Sequence, residues 1–241
     1  MPESGCPRRQ GAMSPAVGAL RTSTSASLLY VAAAGRFAAE AAALDVPRAV
    51  LRIDGSALAE VAPRLMDTAL ASVLMSSFAI EALLNEIYLA GALGVAQNFP
   101  GLTDAAARQL SDAWNAGAHK LSPREKADLA MVVMGVSAID WGASAAQRFA
   151  LLTELRNELV HHKPEWNDHG RPAPESSDKL ERKLQSQFET AAIWKGRGAA
   201  FRWTGCMGAG CARWADVTAT GFAGVLAERL GITISWATVR P

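Results

Sequence analysis

Apolar residues recur at the three- and four-residue spacing of amphipathic helices along most of this chain. The pattern predicts a first helix over residues 27–44 and a long helix over 56–93, which is either continuous or broken at Pro63. Alanine is abundant, and runs of β-branched or aromatic residues are scarce, which also favours helices over strands. The sequence therefore predicts an all-α protein built as a helical bundle.

Capping signals place further helix starts along the second half of the chain. Thr103 and Asp104 precede a helix predicted over residues 105–117. The run Ser122-Pro123-Arg124-Glu125 combines a cap serine, a first-turn proline and an acidic third position, and predicts a helix to about residue 134. The next helix begins at 142–144 and ends before Pro164. Two more helices are predicted over 177–188 and 212–230, with loops at 164–177 and 196–210.

Composition along the chain indicates three parts. Residues 1–24 form a poorly ordered leader, residues 25–190 form the helical domain, and residues 191–241 form a C-terminal extension. The extension consists of a loop rich in glycine and tryptophan and a last helix that packs on the bundle. In segment 194–214 arginines alternate with aromatic residues, as they do in surfaces that stack RNA bases. We favour the simpler interpretation that the tryptophans pin the last helix to the bundle.

Charge and cysteine content narrow the classes of function. The chain has 24 basic and 23 acidic side chains and a formal net charge of +1, so any contact with RNA must be local. Its three cysteines suit a reducing cytoplasm. Cys206 and Cys211 lack a second pair of ligands, so we expect neither a metal nor another cofactor.

The most apolar stretch, residues 65–96, is predicted to be a buried helix. Asp67, Glu81 and Glu86 interrupt it, and charged side chains are costly inside a bilayer. We therefore expect a cytoplasmic protein that has no membrane partner.

Most of the candidate chemistry lies at the end of the helix that precedes Pro164. Three of the four histidines fall in or just after this segment. Asn157 and His161 share a face that points away from the leucines, Arg156 lies at the edge of the leucine stripe, and His162 lies inside it. We interpret His162 as a partly buried histidine with its hydrogen bonds satisfied. For His161 two interpretations stay open: a proton-transfer group beside a fixed cation, or a histidine favoured by the helix dipole.

These residues resemble the signature of the HEPN superfamily, which is an arginine and a polar residue followed by a histidine. Here the signature reads Arg156-Asn157-x-x-x-His161, and the sequel Lys163-Pro164-Glu165 also resembles bacterial members. Upstream, Glu81-x-x-x-Asn85 resembles an earlier core helix of such proteins. The similarity covers roughly residues 25–190. Lys163 stands where one branch has a tyrosine that is modified, so that regulation is not expected.

The resemblance implies a HEPN-like helical bundle that dimerises and cuts RNA without a metal. In such a site His161 acts as general acid or base and Arg156 stabilises charge on the phosphate, while Asn157 orients the imidazole or binds a phosphate oxygen. Glu81, Asn85 and His162 would be supporting residues. Because a buried carboxylate requires a partner, we predict that Glu81 pairs with Arg156 or hydrogen-bonds His162. The alternative, which has equal weight, is a glutamate bonded to a nearby backbone group or to an exposed lysine.

Two functions follow as expectations. The first is an endoribonuclease that cleaves RNA by attack of the 2′-hydroxyl, acting as a toxin or anti-phage effector with a cognate antitoxin or regulatory protein. The alternative is a non-catalytic HEPN-like dimer that binds a protein partner or a nucleotide. In both cases we expect a homodimer, because two-fold pairing is the commonest form of oligomer.

Overall fold

The computed structural model describes residues 25–45, 55–161, 175–194 and 206–238. Within these ranges the protein is all-helical and has no strand, which confirms the predicted fold class. The helices are α1 (Ala26–Leu44), α2 (Gly55–Leu93), α3 (Asp104–Asn115), α4 (Pro123–Val133), α5 (Ser144–Val160), α6 (Glu175–Gln185) and α7 (Ala209–Leu230). Short 3-10 turns occupy Ala96–Asn98, Ala118–Lys120, Ala192–Trp194 and Ser235–Thr238.

The described residues include the predicted helical domain for the most part and leave out several other predicted segments. The predicted leader at 1–24 lies outside the described residues, as do most of the predicted loops at 164–177 and 196–210. At 175–177, where the loop was predicted to continue, the chain is already helical, since α6 starts at Glu175. The last helix likewise starts three residues earlier than predicted, at Ala209.

The predicted caps are confirmed, because they depend on chemistry within a single turn. The Thr103 hydroxyl accepts a hydrogen bond from the Ala106 amide at 3.2 Å. The Ser122 hydroxyl accepts from the Glu125 amide at 3.3 Å, and the Glu125 carboxylate accepts from the Ser122 amide at 2.8 Å, which completes a capping box.

Helix α2 is the central element, and it continues through Pro63 without a break. A proline inside a helix loses one backbone hydrogen bond and crowds the preceding turn. The ring of Pro63 is exposed, and α2 packs extensively against α1 and α7 and also contacts α3, α4 and α5. This packing offsets the local defect, so the alternative of a broken helix is wrong.

The last helix lies within the core. It contacts α1, α2, α4 and α5 and contributes ten buried residues, from Cys211 to Leu230. Phe222 stacks on Phe149 of α5, with ring centroids 4.1 Å apart and planes 8° apart. Helix α7 thus helps to fix α5, the helix that carries the signature residues.

Among the residues that the structure describes, two helical stretches are long and apolar enough to cross a membrane, namely Ala26–Leu44 and Ala59–Leu93. The second is 56% buried against the rest of the protein, and core helices of soluble proteins share these properties. The cytoplasmic location stays a prediction.

Candidate functional site

Three of the predicted site residues meet where the second half of α5 faces α2. One terminal nitrogen of Arg156, Nη2, lies 3.8 Å from Glu81 Oε2. The other, Nη1, donates a hydrogen bond to Asn157 Oδ1 at 2.9 Å. The guanidinium carbon also lies 5.5 Å from the centroid of the Phe78 ring. The predicted pairing of Glu81 with Arg156 is therefore confirmed.

This ion pair is open to water on one side. The Arg156 side chain is 24% exposed and that of Glu81 is 38% exposed. Ion pairs of this kind contribute about 0–1 kcal/mol to stability, because water screens the attraction. Arg156 Nε is buried and has no hydrogen-bond acceptor among the described residues. The guanidinium is thus oriented by its neighbours and keeps an unused donor.

Asn85, the other predicted support on α2, contacts α4 instead of α5. Its Oδ1 accepts a hydrogen bond from Lys126 Nζ at 2.8 Å. Lys126 is 2% exposed, and its Nζ lies 5.5 Å from the centroid of the Trp114 ring. Burial lowers the pKa of Lys126, although the nearby charge of Glu81 acts in the opposite direction. The polar line of α2 therefore bridges two helices, with Glu81 facing α5 and Asn85 facing α4.

Lys126 was missed by the sequence analysis, although the sequence carries a signal for it. Ala127, Ala130 and Met131 are the buried positions of α4, and Lys126 stands one turn before Ala130 on the same stripe. A lysine in an apolar stripe indicates a buried cation that needs an acceptor, and the uncharged Asn85 supplies one.

His161 occupies a different position from Arg156. It is the exposed C-terminal cap of α5, and its backbone amide donates to the Asn157 carbonyl at 2.9 Å. Its ring makes no hydrogen bond or ion pair with any other residue in the described ranges. Five residues along a helix correspond to a rotation of about 140°, so Arg156 and His161 emerge on different faces of α5.

The remaining predicted support lies outside the part of the chain that can be described. His162 follows the last described residue of α5, so its predicted hydrogen bond to Glu81 stays a prediction. The Asn157 amide oxygen faces the Arg156 guanidinium. In the structure Asn157 therefore orients the Arg156 guanidinium. Its two predicted roles, orienting the imidazole and binding a phosphate oxygen, stay predictions.

The two C-terminal cysteines are buried in the core, and neither forms a disulfide. Burial raises the pKa of the Cys206 thiol to about 12 and holds the pKa of Cys211 well above its usual range. Across the described ranges, no group of three or more His, Cys, Asp or Glu side chains is arranged to hold a metal ion.

Comparison with models of known protein families gave no match, and neither did comparison with curated proteins or with solved structures. The case for a function therefore depends on the residues of this chain.

Proposed function

We propose that this protein is a metal-independent endoribonuclease of HEPN type that acts as a homodimer. Its catalytic residues would be Arg156, Asn157 and His161, with Glu81 holding the guanidinium. The observation that carries the proposal is an oriented, partly exposed guanidinium on the same helix as an exposed terminal histidine. These are the residue types that cleavage of RNA requires.

The chemistry uses the substrate's own nucleophile. A neutral imidazole of His161 accepts the proton of the 2′-hydroxyl, and the oxygen attacks the adjacent phosphorus. The bond from phosphorus to the 5′-oxygen breaks, and a protonated imidazole delivers a proton to that leaving oxygen. The products are a 2′,3′-cyclic phosphate and a free 5′-hydroxyl. Arg156 would stabilise the charge that grows on the phosphorane oxygens.

The geometry of α5 supports the homodimer in this proposal. One chain supplies one described histidine at this end, and Arg156 leaves the helix about 140° away from it. Two copies paired around the ends of their α5 helices would supply two imidazoles, one as base and one as acid. Either subunit's arginine can then face the other's histidine. A toxin or anti-phage role, with a cognate antitoxin or regulatory protein, belongs to the same proposal.

The first experiment measures RNA cleavage by the purified protein without divalent metal. We expect fragments that end in 2′,3′-cyclic phosphate, and His161→Ala should lower the rate by about 10²–10⁴-fold. His119→Ala is the matched control, since His119 is also exposed but lies on the turn Ala118–Lys120. Intact RNA with the wild-type protein, or equal rates in the wild type and His161→Ala, would contradict the proposal.

The second experiment tests the arginine. Arg156→Lys keeps the charge and the attraction to Glu81 but loses the planar fork, so we expect a fall in kcat of about 10²–10³-fold. Arg108→Lys on α3 is the control, because Arg108 is exposed and lies on a different helix. A loss confined to KM would assign Arg156 to binding of RNA rather than to the cleavage step.

A non-catalytic role is the second candidate, and one observation favours it. The Arg156 guanidinium already contacts Glu81, Asn157 and Phe78, as a structural link between α2 and α5 would. A dimer that binds a protein or a nucleotide needs no proton transfer. Equal toxicity of the wild type and His161→Ala in cells would support this second role.

A further inference from the structure

A second polar site lies on α5, at the end opposite to His161. It is a cavity of about 550 Å³ between the start of α4, the first part of α5 and the end of α6. We call it the α4–α6 cavity. The residues that decide its chemistry are Arg124, Trp141, Arg148, Glu154 and Lys183. The candidate catalytic residues do not line it.

The lining is positive although the chain as a whole is almost neutral. Three cations, Arg124, Arg148 and Lys183, line the cavity together with one carboxylate, Glu154, which leaves two positive charges in excess. Glu154 accepts a hydrogen bond from Lys183 Nζ at 2.8 Å. Arg148 is exposed and is in no ion pair with any described residue. An anion that enters would therefore meet at least one arginine fork that is free to bind it.

One wall of the cavity combines the Trp141 ring with the Arg124 guanidinium. The Trp141 indole donates to Asp128 Oδ1 at 2.8 Å, and its ring lies 5.7 Å from the ring of Phe222. The guanidinium carbon of Arg124 lies 4.6 Å from the indole centroid. Arg124 is exposed and lines the cavity. Arginine planes held in this way are surfaces on which nucleic-acid bases stack.

The size of the cavity indicates a ligand larger than a lone anion. Its volume falls within the range of about 300–1,000 Å³ that is typical of small-molecule sites. Gln147 and Gln187 add amide donors and acceptors that can bond the edge of a base or a ribose hydroxyl. We propose that the α4–α6 cavity binds a nucleoside phosphate, with the phosphate between Arg148 and Lys183 and the base against Arg124.

The nucleotide can be free or one unit of an RNA strand. Gln147, Glu154 and His161 follow one another at seven-residue steps, so they lie on the same side of α5. Glu154 and His161 are separated by two turns, or about 10 Å along the helix. A strand that places one nucleotide in the cavity can therefore reach His161 along this side of α5. Binding in the cavity does not require that the protein cleaves RNA.

Calorimetric titration of the wild-type protein with AMP at low salt tests this site. We expect AMP to bind at least about tenfold more tightly than adenosine or inorganic phosphate, because each of these lacks one of the two contacts. Arg148→Ala and Arg124→Ala should each weaken AMP binding by about tenfold or more. Arg108→Ala is the control and should bind AMP as the wild type does.

All three arginines are exposed, so these variants should fold, and far-UV circular dichroism checks that they do. Absence of AMP binding up to millimolar concentration would overturn the proposal. Equal AMP affinity in the wild type, Arg148→Ala and Arg124→Ala would overturn it as well.

A competition experiment identifies the source of the nucleotide. The His161→Ala protein, in which RNA should stay intact, is loaded with AMP and titrated with a single-stranded RNA oligonucleotide. Displacement of AMP assigns the cavity to a strand, and its retention assigns the cavity to a free nucleotide. Failure of the ribonuclease proposal would leave the AMP titration unchanged, so the two proposals can fail separately.

Discussion

The carboxylate of Asp45 joins three segments that are far apart in sequence, and its removal should destabilise the fold strongly. Asp45 is the C-terminal cap of α1. Its Oδ1 accepts a 2.6 Å hydrogen bond from the amide of Ala192, the first residue of a 3-10 turn. Its Oδ2 accepts a 3.1 Å hydrogen bond from the amide of Ala209, the first residue of α7. Gly208 precedes α7 and offers no side chain of its own as a cap. One side chain therefore caps two helical starts.

The expected cost follows from these two bonds. A hydrogen bond to a charged acceptor contributes about 1.5–3 kcal/mol. Two such bonds would together contribute about 3–6 kcal/mol. Because Asp45 is only partly buried, we expect Asp45→Ala to lower the free energy of unfolding by less than most of that range, by about 2–4 kcal/mol. That corresponds to a fall in Tm of roughly 4–16 °C for a chain of this size. Asp45→Asn keeps one carbonyl acceptor and should cost about half as much.

Urea unfolding followed by circular dichroism measures the change. Asp67→Ala is the matched control, because Asp67 is exposed on α2, and it should change the free energy of unfolding by less than about 0.5 kcal/mol. If Asp45→Ala costs no more than this control, the carboxylate does not hold the junction and the reasoning is refuted.

Three further predictions concern the core. Burial raises the pKa of Tyr88 far above its ordinary value, so the unfolded chain loses the phenolic proton at a lower pH than the folded chain does. The free energy of unfolding should therefore fall above about pH 10, and urea unfolding at alkaline pH should show a smaller fall in Tyr88→Phe than in the wild type; the buried thiols account for the rest. The Cys6→Ser variant leaves Cys206 and Cys211 as the remaining thiols, and both are buried with raised pKa values. A thiol reagent should therefore modify neither of them in the native protein and both after unfolding. Rapid labelling of the native protein would contradict their burial. Phe222→Ala should lower the free energy of unfolding by about 3–5 kcal/mol, measured by urea titration, and a loss below about 1 kcal/mol would mean that the stacked ring is not part of a tight core.

Features that depend on neighbours within one turn could be predicted from the sequence. The capping box at Ser122 and the cap at Thr103 are both present, because a cap needs only a hydroxyl and an amide three residues away. The Asp45 junction could not be predicted in this way. Its bonds span 147 and 164 residues, and nothing local to Asp45 specifies which amides it will meet. The continuity of α2 at Pro63 could not be predicted locally either, because it depends on packing against other helices.

In the candidate site too, some contacts could be predicted from the sequence and others depend on the fold. The partner of Glu81 was predicted because a carboxylate on an apolar helix requires one, and the motif supplied Arg156. Asn85 was placed in the same group, yet it bonds Lys126 of α4. In the sequence, Glu81 and Asn85 lie four residues apart, or about one turn of α2, and their spacing does not show that they have different partners. Which neighbouring helix each of them faces is decided by the positions of α4 and α5.

The energetics of Arg156 bear on both candidate roles. The ion pair to Glu81 is 3.8 Å long and partly exposed, so it contributes at most about 1 kcal/mol. Burial of Nε without an acceptor costs a comparable amount or more. The hydrogen bond to Asn157 and the contact with the Phe78 ring offset that cost, so Arg156→Met should lower the free energy of unfolding by no more than about 1–2 kcal/mol, measured by urea unfolding. A phosphate oxygen that approaches from solvent could reach the exposed part of the guanidinium but not the buried Nε, so the proposed contact with RNA would use the terminal nitrogens.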